Sequence, residues 1–276
     1  MKSKIVRSVL NVKKKEHLAP HYIRVTLTGE DVKLFENITV GKNNKIFLPP
    51  AGSDKVYFPI LDQTTGQMED VPDELKPIRR TYTHRGIDLK ENEMYIDFVA
   101  HGDNGPASAW AIQAKPGDQL GVAMKDHPAP LHPQADWYLL ACDATGIPVI
   151  ASILEALPTT AQGEAYIEVL GKEEEIPLST KADIQIHWIH NPHPGQEPVL
   201  AKTVRQVQLP DHTKTSVFGY IAAEFSSVKD LRIFLRKEVG LPQESLYAYS
   251  YWKYGKSEDG SVAERQEEKK SLSYTL

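Results

Sequence analysis

The sequence predicts a β-plus-α/β protein: an antiparallel sheet or barrel first, then a parallel sheet flanked by helices. Three observations carry this. Before about residue 134 apolar residues alternate with polar ones, as in YIRVTLTG (22–29), NKIFLP (44–49) and MYIDFVAHG (94–102), the period-2 signature of half-buried antiparallel strands. After 134 the strands are apolar throughout and alternate with helical stretches, as in a parallel sheet covered on both faces. Between the halves lies KDHPAPLHPQAD (125–136), rich in proline and suited to a linker. The implied domains are 1–133 and 134–256, with a charged C-terminal tail at 257–276.

In the second half, strands are expected at 137–142, 164–170, 184–189, 215–221 and 246–251, and helices at 147–157, 198–208 and 226–240. WYLLACDATGIPVIASILEAL (137–157) approaches the ~20 apolar residues of a membrane span. Asp143, Gly146, Pro148 and Glu155 interrupt it. It reads instead as strand, turn and helix, with Asp143 or Thr145 suited to capping and Pro148 to a first helical turn. The tail, SEDGSVAERQEEKK onward, reads as a mobile or helical extension.

Composition narrows the function classes. The 276 residues suffice for two domains, each with its own core. The 41% hydrophobic and 25% charged fractions are ordinary for a soluble globular protein. A net charge of −5 points to neither nucleic acid nor an anionic membrane. MKSKIVRSVLNVKKKEHLAP is basic but has no apolar core of signal-peptide length. The single cysteine, Cys142, rules out an internal disulfide and any cluster held by four thiolates. The expectation is a cytoplasmic, monomeric protein without membrane insertion.

Two stretches suit anions. In RRTYTHR (79–85) an extended strand sends Arg80, Tyr82 and His84 to one face and Thr81, Thr83 and Arg85 to the other. Arginine can pair a diphosphate bidentately while a nearby tyrosine ring packs along a flavin edge, and Thr83 could reach a redox nitrogen. A solvated edge strand is the other reading. DFVAHGDNGPASAWA (97–111) runs from a strand holding Asp97 and Val99 through His101, Gly102, Asn104, Gly105 and Pro106 into a helix at Ala107 and Ser108. Small residues there let a helix N-terminus approach a diphosphate; a plain strand–turn–helix link would also use its glycines. Parallel sheets bind ligands beyond the carboxyl ends of their strands, where Asp143, Thr145 and Glu224 fall.

RTYTHR (80–85), HGDNGPASAW (101–110), DATGIP (143–148) with ILEALP (153–158), and YWKYG (251–255) together resemble the siderophore-interacting proteins, in order, from about Val6 to Gly255. That family belongs to the ferredoxin–NADP reductase superfamily. The resemblance implies FAD on a six-stranded antiparallel β-barrel, followed by a Rossmann-like parallel α/β domain of the NAD(P)H-binding type. It implies that Arg80 binds the FAD diphosphate, Tyr82 lies along the isoalloxazine and Thr83 bonds near its redox nitrogen. His101, Gly102, Gly105, Pro106, Ala107 and Ser108 would wrap the diphosphate, with Asp97 and Val99 on the adjoining strand. Asp143, Thr145 and Glu224 stand as cofactor-side candidates in the second domain. Relatives usually read closer to Asp-Glu-Thr-Ala-x-Pro and Gly-Tyr-Trp where this chain has Asp143–Pro148 and Ser250-Tyr251-Trp252.

The implied activity is a ferric-siderophore reductase: two electrons enter from NADH, NADPH or ferredoxin, leave singly to iron(III), and Fe(II) is released. The siderophore keeps its metal coordinated, so no protein ligand is required. An anionic chelate would call for cations at the acceptor cleft: Arg85, Lys253 and Lys256 first, then Lys45 and Lys125. Glu173, Glu174 and Glu175, after the second α/β strand, favour the free 2′-hydroxyl of NADH over a 2′-phosphate. His187, His190 and His193 do not converge as metal ligands, since the first two take opposite faces of a strand and prolines flank the third. The alternatives are a flavin reductase for free flavin, quinone or a protein, a non-catalytic siderophore-binding flavoprotein, and a flavin-free binding module.

Overall fold

The computed structural model describes residues 4–61, 68–103, 105–126 and 129–271. The chain divides into two compact units, Met1–Ala129 and Pro130–Leu276.

In the first unit, strands β1 (Ile5–Ala19), β2 (Tyr22–Thr28), β3 (Asn43–Leu48), β4 (Ile60–Leu61), β5 (Met68–Glu69), β6 (Ile78–Thr83), β7 (Gly86–Asp88), β8 (Glu93–Val99) and β9 (Gln119–Lys125) are joined by one α-helix, α1 (Pro106–Gln113). Seven form an antiparallel sheet in the order β6-β3-β9-β1-β2-β8-β7, and β4 and β5 make a separate ribbon. The long β1 pairs with β9 through Ile5–Asn11 and with β2 through Asn11–Ala19, with register shifts that let it bend. Alternation then does what the sequence pattern implied. Ile23, Val25 and Leu27 of β2 and Met94, Ile96 and Phe98 of β8 are fully buried in one core. Each such side chain contributes about 1.5–3 kcal/mol by leaving water.

The sheet has seven strands, not the expected six. The run from Ile78 to Asp88 breaks at His84 and Arg85. His84 N donates to Lys42 O at 2.8 Å on the β3 side, while Arg85 N donates to Tyr95 O at 3.1 Å on the β8 side. One stretch of chain therefore supplies both edges of the sheet, as β6 and β7. Three residues are too few for an alternation to register in sequence.

In the second unit, β10 (Trp137–Asp143), β11 (Gln162–Val169), β12 (Asp183–His190), β13 (Val217–Glu224) and β14 (Leu246–Trp252) form a parallel sheet, with helices α2 (Ile147–Ala156), α3 (Val199–Val204), α4 (Phe225–Ile233) and α5 (Glu258–Ser271). The order is β12-β11-β10-β13-β14, so the chain winds outward from β10 on one side and returns on the other. The switch point lies beside β10, where sheets of this kind open a ligand crevice at the carboxyl ends. Among the described residues no helix is long and apolar enough to cross a membrane.

Two features shape this unit. Strand β14 is a sheet edge, and an unpaired edge is a template for unwanted association. Here arginines cover it: Arg232 of α4 donates to Ala248 O, and Arg265 of α5 donates to Ser250 O at 3.2 Å and Tyr251 O at 2.8 Å. Second, Gly146 lets the turn into α2 lie against β13. A Cβ there would sit 2.3 Å from Ala222 O and 2.6 Å from the Cys142 Cβ. Both neighbours belong to central strands and cannot move aside. Gly146→Ala is therefore expected to destabilise the second unit by about 1–3 kcal/mol, seen as a shift of its urea-unfolding transition to lower concentration; an unshifted transition would show that the turn can relax.

Candidate functional site

Each unit holds one cluster of the residues singled out in sequence. In the first, Tyr82 of β6 is half-buried, its ring 4.6 Å from that of Phe98, which is 5.7 Å from Trp110 on α1. This aromatic column ties β6 to α1. It runs through Phe98 of β8, so the arginine–tyrosine strand and α1 pack against one core. Arg80, also half-buried, donates from Nη1 to Arg79 O at 2.7 Å.

The helix start is internally braced. Ser108 is 1% exposed; its Oγ accepts from His101 N at 2.9 Å and donates to Gly102 O at 2.7 Å. Ser108 thus holds the loop closed, while His101 is exposed. Gly102 takes a φ of 82°, which only glycine adopts at little cost. Gly105 precedes Pro106, the first residue of α1, and a Cβ on it would lie 2.6 Å from the His101 ring. The first intrahelical bond is Ala109 N to Gly105 O at 2.9 Å, so the N–H groups of Ala107 and Ser108 lie ahead of the helical ladder. Asn104 falls outside the described residues.

Asp97 and Arg85 have other partners. Asp97, 4% exposed, receives a bidentate pair from Arg24 at 2.7 and 2.8 Å and the Tyr22 hydroxyl at 3.1 Å. Arg85 Nε lies 3.8 Å from the same carboxylate, with its side chain only 14% exposed. Val99 is half-buried beside Tyr22. Tyr22, Arg24, Asp97 and Val99 lie on the face of β2 and β8 that alternates with the core side chains Ile23, Ile96 and Phe98. Thr83 is 4% exposed and His84 fully buried, so both faces of the strand are covered where it bends. Neither His84 ring nitrogen nor the side-chain amide of Asn44, on the neighbouring strand, has a hydrogen-bond partner among the described residues. Burial lowers the His84 pKa to about 4, which keeps the ring neutral at physiological pH.

FAD needs a cation and free N–H groups for its diphosphate, an aromatic or apolar bed for its ring, and backbone without obstructing Cβ atoms. Arg80, the α1 start, the Tyr82 column and the Gly102–Gly105 loop meet these needs.

The second cluster lies at the carboxyl ends of β10, β11, β13 and β14. Asp143, 4% exposed, accepts four hydrogen bonds: Thr145 N at 2.9 Å, Thr145 Oγ1 at 2.6 Å, Glu224 N at 2.7 Å and Trp252 Nε1 at 2.7 Å. Burial raises its pKa, opposed by those bonds. Glu224, 5% exposed, caps α4 by accepting from Ser226 N at 2.5 Å and from its hydroxyl, and accepts Tyr254 N at 3.1 Å. These bonds occupy Asp143, Thr145 and Glu224 within the protein. Their observed work is to hold the turn 251–255. On it, Lys253 lies 4.4 Å over the Phe225 ring and donates to Glu264 of α5, whose other oxygen takes Lys256 at 2.7 Å. The two lysines pull the Glu264 pKa down to about 2. Lys45 and Lys125 are exposed, and Lys45 donates to the Thr81 hydroxyl.

Beyond β11, Glu173 is exposed, Glu174 buried, and Glu175 accepts from His190 at 2.8 Å. His187 bonds Glu164 at 2.9 Å and stacks on Tyr166, while His193 sits in the following loop. The sequence reading missed Trp252 as the partner of Asp143, Arg24 as the partner of Asp97, and Glu264. For Glu264 the sequence carried no local signal, since the buried residues that give α5 its inward face beside it, Ser261 and Arg265, are polar.

A β domain with a diphosphate-suited helix start, followed by a switch-point parallel domain, is the fold of the ferredoxin–NADP reductases, and comparison with known proteins narrows the class. The sequence model of the siderophore-interacting FAD-binding domain matches residues 11–127, and that of the siderophore-interacting protein matches residues 135–255. Ferric vibriobactin reductase ViuB of Vibrio cholerae is 35% identical over 257 residues, covering 93% of this chain and 93% of that protein. A siderophore utilization protein from T. fusca superposes with a TM-score of 0.80 at 28% identity, covering 93% of this chain and 96% of that one. A ferredoxin NADP+ reductase from Neisseria gonorrhoeae shares the fold, with a TM-score of 0.58 at 12% identity over 89% of this chain and 98% of that one. The chain belongs to the siderophore-interacting protein family, and its first unit is the family's FAD-binding domain.

One carboxyl in the second cluster carries a pH signature. Glu168 of β11 is 5% exposed, and burial, then the charge of Asp143, raises its pKa to about 7. A raised acid favours folding while protonated, so its contribution is complete near pH 4 and is lost as pH rises through about 7. Glu168→Gln should therefore stabilise the second unit at pH 8 by about 1–3 kcal/mol, with no gain near pH 4. Equal effects at both pH values in urea titrations would contradict this.

Proposed function

We propose that the protein is an FAD-dependent oxidoreductase that takes electrons from NADH, or from ferredoxin, and reduces iron(III) held by a siderophore, releasing Fe(II). The observation that carries the proposal is the column Tyr82–Phe98–Trp110, which links the strand of Arg80 to α1 through packed rings. FAD, when bound, supplies the conversion between two-electron and one-electron transfer.

The protein's residues position and screen. Arg80 pairs the diphosphate, whose charge the N-terminus of α1 also favours. His101, Gly102 and Gly105 flank it, with the backbone of His101 and Gly102 held by Ser108. Tyr82 presents its ring to the isoalloxazine, and Thr83 lies next along the strand. In the second unit Lys253 and Lys256 provide the cations for an anionic chelate. Exposed Glu173 at the end of β11 supports NADH, since a carboxylate there repels a 2′-phosphate.

The reaction is tested by anaerobic titration of the holoprotein with NADH, followed by a ferric tris-catecholate in the presence of an Fe(II) trap. Bleaching of the flavin band by NADH, and its return with trapped Fe(II), is expected. A band that ferredoxin alone bleaches would replace NADH as donor. A band that neither donor bleaches, with tight chelate binding, would favour a non-catalytic siderophore-binding flavoprotein. Return of the band with quinone but not with the ferric chelate would favour another acceptor. Arg80→Ala should weaken FAD binding by about 10- to 100-fold, read from FAD fluorescence on equilibrium dialysis; unchanged affinity would remove Arg80 from the diphosphate site.

A further inference from the structure

The two lysines proposed to meet the chelate are already bound by a carboxylate. Glu264 receives Lys253 on one oxygen and Lys256 on the other, the latter at 2.7 Å. All three side chains retain access to solvent, at 26%, 44% and 40% exposure for Lys253, Lys256 and Glu264. The helix that carries Glu264 is anchored independently of this clasp, through buried Ser261 and through Arg265 on the Ser250 and Tyr251 carbonyls. Its carboxylate is therefore delivered to the lysines by a fixed scaffold. From the other side, Lys253 is held over Phe225, and its turn is fixed by Asp143 and Glu224.

A carboxylate bridging two ammonium groups satisfies the same donors that a catecholate or carboxylate oxygen of a ferric chelate would use. It also reduces the local charge of the pair from two to one. We propose that Glu264 is a specificity-determining residue: it competes with the chelate for Lys253 and Lys256, so that both lysines engage only a chelate anionic enough to displace it. The inference rests on the reading of these lysines as the acceptor site. Neutral and cationic chelates gain nothing by displacing Glu264 and meet a site of low net charge. Strongly anionic chelates must exchange one anion for another.

The test is binding, with gallium(III) in place of iron so that no reduction occurs. Holoprotein is titrated calorimetrically with an anionic gallium tris-catecholate and a cationic gallium tris-hydroxamate. Glu264→Gln, which keeps the shape and removes the charge, should tighten the tris-catecholate by about fivefold or more and leave the tris-hydroxamate unchanged or weaker. The gain should shrink as salt is raised. In a Lys253→Gln/Lys256→Gln background Glu264→Gln should have no effect. If that double variant binds the tris-catecholate as tightly as the native protein, the acceptor reading fails. If the double variant loses binding while Glu264→Gln alone changes nothing, the acceptor site stands and the competition by Glu264 is overturned. Equal tightening of both chelates would also overturn it, as the mark of a loosened helix rather than of charge.

Discussion

The Asp143 carboxylate is the point on which the second unit turns. Four donors from three segments converge on it: the turn into α2, the end of β13 and the Trp252 indole. A buried charge is costly unless hydrogen bonds replace its hydration, and four of them do so here. The same bonds place three strand ends at fixed heights around the switch point. Glu224 extends the arrangement by capping α4 and holding Tyr254 N. Asp143 and Glu224 thus fix the turn that carries Lys253, while Phe225 and Glu264 hold its side chain.

The first unit uses packing where the second uses charge. Its two ligand-suited motifs, 79–85 and 97–111, are joined by three aromatic rings in series. On the strand that leads into the loop, Asp97 gathers Arg24, Tyr22 and Arg85 in a buried ion-pair network. His84 and Asn44, like Thr26, are exceptions: buried polar side chains with no hydrogen-bond partner among the described residues, each costing about 1–3 kcal/mol. Their exposure is already zero in the protein alone, so they lie below the surface that a cofactor would touch.

Much of this was legible in sequence wherever the signal was local. Alternation in YIRVTLTG and MYIDFVAHG gave β2 and β8, and the apolar WYLLAC followed by an Asp cap and Pro148 gave β10 and α2. The glycine of DATGIP, a departure from the expected family pattern, has its reason in the close approach of Ala222. What stayed hidden was non-local. Trp252 and Asp143 are 109 residues apart, and Arg24 and Asp97 are 73 apart, so no spacing rule could pair them. The break of RRTYTHR into two sheet edges depends on which strands it meets. Glu264 sat in a charged run of the sort usually left to solvent, and only the docked helix gives it a partner.

The central claim is that Asp143 is an internal tie for the turn that carries Lys253. The most direct measurement is the indole N–H resonance of Trp252 in a proton–nitrogen correlation spectrum, assigned through Trp252→Phe and compared with Asp143→Asn. A bond of 2.7 Å to a carboxylate places that proton downfield of the other indoles. Asparagine has one acceptor oxygen and no charge, so the indole either loses its acceptor or keeps a weaker, neutral one. An upfield move of the Trp252 resonance in Asp143→Asn, with FAD content unchanged, is the predicted result. A Trp252 resonance that does not move would show that the turn is held by something else.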